Sequence, residues 1–134
     1  MVTYIGTKLI KAEPQEKDGK AGYKVCYPDG YVSWSPKDVF EEAYRPTDGL
    51  SFGLAIEVAK KGKKIARSGW NGKNQYVELA TNISYVSTDG LVVNTEHDAI
   101  GNKAMAFVGT SGVQMGWLAS QADMLADDWK IVEQ

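Results

Sequence analysis

Turn-forming residues interrupt this chain so often that no regular segment can run long. Asp29-Gly30, Asp48-Gly49, Gly62, the group Gly69, Asn71 and Gly72, Asp89-Gly90 and the stretch 109–112 divide the 134 residues into short pieces. Such pairs favour tight reversals, because glycine and asparagine accept the positive φ that hairpin turns require. Between the turns lie runs rich in Val, Ile, Tyr and Thr, together with a few helix-like stretches. The chain therefore reads as α+β: a small antiparallel sheet packed with short helices, preceded by an N-terminal β-hairpin and helix extension.

Two segments are expected. The first, residues 1–46, is a β-rich module. Its residues 2–12 alternate as a strand, 13–21 read as a polar mobile loop, and two β-rich runs flank Asp29-Gly30. Ser35 as N-cap, Pro36 at the first helical position and Asp38 in the first turn predict a helix over 36–45. The turn-rich 45–50 forms a break. In the second segment, residues 50–134, Ser51 caps a helix carrying Phe52, Ala55, Ile56 and Ala59 on one face. Lys60, Lys61, Lys63 and Lys64 gather at its end, where cations suit the helix dipole, and Gly62 stops it. Strands follow at 64–68 and 75–80, with shorter ones at 83–87, 91–94, 103–109 and 112–117. Ser120 and Asp123 have capping-box spacing, and Trp129 to Val132 closes the sheet.

Fifteen Lys and Arg stand against 17 Asp and Glu, a formal charge of −2. Long nucleic acid is not an expected partner, because binding it calls for a basic surplus that displaces counterions. Cys26 is the single cysteine, so no disulfide can close within the chain, and its strand setting reads as a packed thiol. No signal-like N-terminus and no 18-residue apolar run are present, which leads to an expectation of no membrane partner and a location in the cytoplasm.

Catalytic constellations are not found. His97 is the only histidine, and its polar setting reads as surface; Glu96 and Asp98 beside it lack a metal-ligand spacing. The glycines of 109–116 lack both the Lys-Ser/Thr ending of a phosphate loop and a dinucleotide fingerprint. Asp123 reads as a helix start, and Asp127-Asp128 as a helix exit, rather than as metal ligands. The expectation is a non-enzyme without metal or cofactor.

One stretch suits binding without reaction: "RSGWNGKNQY" at 67–76. The Trp70 indole can stack on a purine, Arg67 and Lys73 can pair with phosphate, Asn71 can read a base edge or ribose hydroxyl, and Tyr76 adds a second flat face. Equally, Trp70 can cover the core at a hairpin corner with the cations solvated. From these residues alone both readings stand.

Two blocks carry a family resemblance: "SFGLAIEVAKKGKKIARSGWNGKNQYVEL" at 51–79 and "GWLASQADMLADDWKIV" at 116–132. Together they resemble the phage-encoded Thoeris anti-defence protein 2 family. What the resemblance implies is a protein that sequesters small cyclic nucleotide messengers of bacterial immunity without cleaving them. Glycocyclic ADP-ribose isomers are the principal ligands implied, with cyclic dinucleotides at a separate site. It also implies a homotetramer with pockets between subunits, acting in the cytoplasm of the bacterial host. Carried over by motif position, Trp70, Asn71 and Lys73 in the first block and Trp117, Ser120, Gln121 and Asp123 in the second become ligand-binding candidates, beside Arg67 and Tyr76. Phe52 would wall the pocket or simply fill the core. Residues 83–115 depart from the family pattern, and Gly116 stands where that pattern has proline. The alternative is a phage structural or protein-interaction module with no nucleotide ligand, using Trp70 and Trp117 as contact anchors.

Overall fold

A computed structural model describes residues 1–70, 74–94 and 102–133. Its helices are short and its sheets antiparallel, which makes the fold α+β. The chain divides into two compact units, Met1–Pro46 and Thr47–Gln134.

The first unit is a three-stranded meander of β1 (Lys11–Pro14), β2 (Gly22–Cys26) and β3 (Val32–Pro36), followed by α1 (Lys37–Ala43). Residues 13–21, expected to be a mobile loop, instead finish one strand and turn into the next. Lys17 and Lys20 exchange backbone hydrogen bonds across Asp18-Gly19, both at positive φ (52° and 77°). That geometry matches the twist of the flanking strands. The expected strand at 2–12 shrinks to Lys11–Pro14, because a strand needs a neighbour. Lys11 pairs with Cys26, after which the neighbouring chain reverses, Tyr27 N–H donating to the Tyr31 carbonyl. Helix α1 begins after Pro36, which is its N-cap and the last residue of β3, and no side chain caps it. Val25 is the buried apolar residue of this unit. Trp34 closes over Gly22 and donates its indole N–H to the Gln15 carbonyl at 2.8 Å, while Phe40 stacks on Tyr23 and Tyr44.

The second unit opens with α2 (Phe52–Lys60). Ser51 Oγ accepts from Leu54 N–H at its start, and Gly62, at φ 92°, ends it. Strands β4 (Lys64–Arg67), β5 (Tyr76–Thr81), β8 (Lys103–Gly109), β9 (Gly112–Met115) and β10 (Trp129–Val132) form a sheet in the order β10-β4-β5-β8-β9. Between β5 and β8 the chain makes a separate two-stranded ribbon of β6 (Ser84–Val86) and β7 (Val92–Asn94), and α3 (Gln121–Leu125) precedes β10. The register aligns Ile131, Ile65, Val77 and Phe107 across four strands, so these side chains share one face. Helix α2 covers that face. Its Ala55 and Ala59 are completely buried, as are Ile65, Val77 and Trp129 below. Burying Ile65 and Val77 stabilises the unit by about 1.5–3 kcal/mol each, an upper bound taken from extended-chain areas.

Candidate functional site

The strand β4 ends at Arg67, and the next three residues are held by an incoming segment from far along the chain. Ser68 N–H donates to the Asp128 carbonyl at 3.0 Å, and Gly69 N–H to the Asp128 carboxylate at 3.1 Å. A Cβ on residue 69 would lie 3.1 Å from that carboxylate oxygen, so glycine permits the close approach. Trp70 N–H then bonds back to the Arg67 carbonyl at 3.3 Å, which starts the turn.

This turn delivers Trp70 to an aromatic cluster. Its ring centroid lies 5.3 Å from Trp129, 5.4 Å from Phe107 and 6.2 Å from Trp117. The Trp129 and Trp117 contacts are edge-on, a favoured arrangement because the positive ring edge meets a negative face. Trp129, fully buried, is the hub, with Phe52 at 5.3 Å on its helix side. Trp70, Phe107 and Trp117 are each only partly buried. Trp117 is aimed by a double hydrogen bond: Gly116 and Trp117 N–H groups both donate to the Met105 carbonyl, at 3.0 and 2.8 Å. Gly116 sits at φ 76°. Proline, fixed near −65°, could not adopt that angle, so glycine permits the backbone path that aims this tryptophan.

Charge at the site is arranged inward. Arg67 Nε lies 2.9 Å from Asp128 Oδ1, and Nη1 lies 3.0 Å from Asp123 Oδ1. Asp123 also accepts from Ser120 N–H at 3.1 Å, while its own N–H donates to Ser120 Oγ at 3.1 Å. This is a complete capping box for α3. The Asp123 carbonyl accepts the Trp129 indole N–H at 2.8 Å. Burial pushes the Asp123 carboxyl up, but Arg67, Ser120 and Trp70 together hold it below the usual aspartate value. Arg67 is also the main reason the Asp128 carboxyl is depressed, and the Asp128 and Asp123 bonds raise the guanidinium. One cation against two carboxylates leaves the trio at a formal −1. Such a trio clamps the turn to α3 and offers no net attraction to phosphate.

Of the sequence candidates, the structure brings Arg67, Trp70, Trp117, Ser120 and Asp123 together. Gln121 is exposed in the first turn of α3, next to Ser120. Tyr76 pairs in register with Val108, so it lies on the sheet face opposite Phe107, under the Lys64 ammonium at 4.5 Å. Asn71 and Lys73, like His97, lie outside the described residues. Phe52 packs on the Trp129 hub. Three residues escaped the sequence reading: Phe107, Trp129 and Asp128. The two aromatics read as ordinary strand residues, and Asp128 as a helix exit, because nothing local in the sequence links them to residue 70. Among the described residues no group of three His, Cys, Asp or Glu is placed to hold a metal, and no helix is long and apolar enough to cross a membrane.

Known proteins share the second unit. A family profile, the Thoeris anti-defense 2-like domain, matches residues 50–132. The Thoeris anti-defense 2 protein of Bacillus phage SP01 is 38% identical over 86 residues, covering 62% of this chain and 94% of that relative. The matched span holds the whole aromatic cluster, the Arg67 clamp and the capping box of α3, and by that span the chain belongs to the Thoeris anti-defense 2-like family.

Proposed function

We propose that this chain is an anti-defence protein that binds cyclic nucleotide immune messengers and holds them uncleaved, so that bacterial effectors are not activated. Membership of the family supports the anti-defence role. Glycocyclic ADP-ribose isomers are the first ligand class in this reading, and cyclic dinucleotides the second.

The observation that carries the reading is the pair of partly exposed indoles, Trp70 and Trp117, on a rigid aromatic base. A purine stacked on such a face gains about 1–3 kcal/mol. Rigidity adds to this, because a preformed face loses little entropy when the ligand arrives. Arg67 serves here as the clamp that fixes Trp70. Phosphate contacts then fall to other cations, Lys73, three residues on in the sequence, or a neighbouring subunit's lysines, in keeping with a homotetramer with pockets at its junctions. Holding a messenger needs complementarity to its ground state and no positioned nucleophile, in contrast to an enzyme that must favour a transition state.

Titration calorimetry of the full chain with glycocyclic ADP-ribose and with a cyclic dinucleotide panel tests the proposal. Binding at micromolar concentration or tighter is expected, with intact ligand recovered after heat denaturation. Silence across the panel would remove the nucleotide reading and leave a protein-interaction module. Trp70→Ala is predicted to weaken binding by roughly 1–3 kcal/mol while the fold persists.

A further inference from the structure

Three consecutive residues at the end of β4 each give one N–H to Asp128. Arg67 Nε donates to Oδ1 at 2.9 Å, Ser68 N–H to the main-chain carbonyl at 3.0 Å, and Gly69 N–H to Oδ2 at 3.1 Å. The next residue on each side completes the contact: Trp70 follows Gly69, Trp129 follows Asp128, and their rings lie 5.3 Å apart. Two successive residues thus hold first the backbone that leads to Trp70 and then its indole. The converging donors account for the residue type at 128. Arg67 and Gly69 reach separate oxygens, and a carboxylate offers an acceptor to each, whereas Asp128→Asn would set an amide NH2 against one of them. At 36% exposure the Asp128 side chain contributes little as core packing.

We propose that Asp128 is the positioning residue of the messenger site: it sets the Trp70 indole for stacking and does not itself touch the ligand. This role rests on the messenger binding proposed for the site. A face that is immobilised beforehand loses little entropy when a base stacks on it, so part of the affinity depends on the residue that immobilises it. Because that effect passes through Trp70, it disappears when the indole is removed.

A double-mutant cycle in the full chain tests the role, read by titration calorimetry with glycocyclic ADP-ribose or, where the wild type binds only that class, a cyclic dinucleotide. Asp128→Ala is expected to weaken binding about tenfold on its own and less than about twofold when Trp70→Ala is also present. Asp128→Asn, of the same size, is expected to weaken it about threefold, again only while Trp70 is in place. Val58→Ala trims the core of the same unit and measures the effect of lost stability alone, with affinity kept within about twofold. A wild type that binds nothing would remove the nucleotide reading itself, and the positioning role with it. Given a wild type that binds, the role alone is overturned by unchanged affinity in both Asp128 variants, by a Trp70→Ala variant that binds as the wild type does, or by a loss that Val58→Ala reproduces. An equal loss with and without Trp70 would also overturn it, placing Asp128 on the ligand.

Discussion

Arg67 lies within 3.0 Å of two carboxylates that follow it by 56 and 61 residues. Its cationic character was plain from the sequence, but its partners were not, because ion pairing over that distance has no periodicity to reveal it. The clamp has a pH signature. Asp123 and Asp128 are held below the ordinary carboxylate value of 3.8 when folded and regain it when unfolded. Their contribution is therefore complete above that value and is lost as pH falls through the lower, folded values. In a Trp34→Phe background, near-ultraviolet tryptophan signals should stay level down to about that pH and weaken below it, and Arg67→Ala should remove this acid-sensitive step. A signal that titrates well above 3.8, or an unchanged step in Arg67→Ala, would contradict the clamp. Trp70 was legible as a flat, polar-handled side chain. That it comes near enough to Asp123 to help hold its carboxyl down was not, since only the fold brings β4 against α3.

At the level of elements, local chemistry was read well at α2 and α3 but not at α1, where Pro36 rather than the expected Ser35 stands at the N-cap and no side chain caps the helix. Ser51, Gly62 and the Ser120–Asp123 box act through hydrogen bonds and φ values within a few residues, and each acts in the structure as its type predicts. Helix α3 has only five residues and cannot persist without its cap. Ser120→Ala is predicted to destabilise the second unit by about 1 kcal/mol in chemical denaturation, with a larger loss of amide-exchange protection at 121–125 than elsewhere. The first unit has a different weak point. A Cβ at Gly22 would come within 2.4 Å of the Ser35 carbonyl oxygen and of the Trp34 ring, a clash with backbone that cannot move away cheaply. Gly22→Ala should cost roughly 1–3 kcal/mol and release Trp34, seen as a red-shifted emission, whereas an unshifted, equally stable variant would show that β2 and β3 can separate freely. Residues 1–10 misled the pattern because alternation reports readiness to pair and says nothing about the presence of a neighbour.

For the molecule as a whole, the family match and the aromatic cluster both fall within the second unit. Residues 47–134 are accordingly predicted to fold alone and to bind the messenger with affinity within about threefold of the full chain, measured by calorimetry. A tenfold or greater loss would mean that the first unit contributes to the site. The short-strand α+β class, the caps of α2 and α3, the turns at Asp29-Gly30 and Asp89-Gly90 and the two tryptophan blocks were determined by the sequence alone, because turn geometry and capping are decided by neighbours in the chain. Only the tertiary structure decided that Trp70 rests on Trp129 and Phe107, that Tyr76 faces the other side of the sheet, and that Arg67 is occupied by Asp123 and Asp128. Those outcomes depend on strand register and on contacts between segments distant in the chain, where a one-residue shift in pairing exchanges the two faces of a strand.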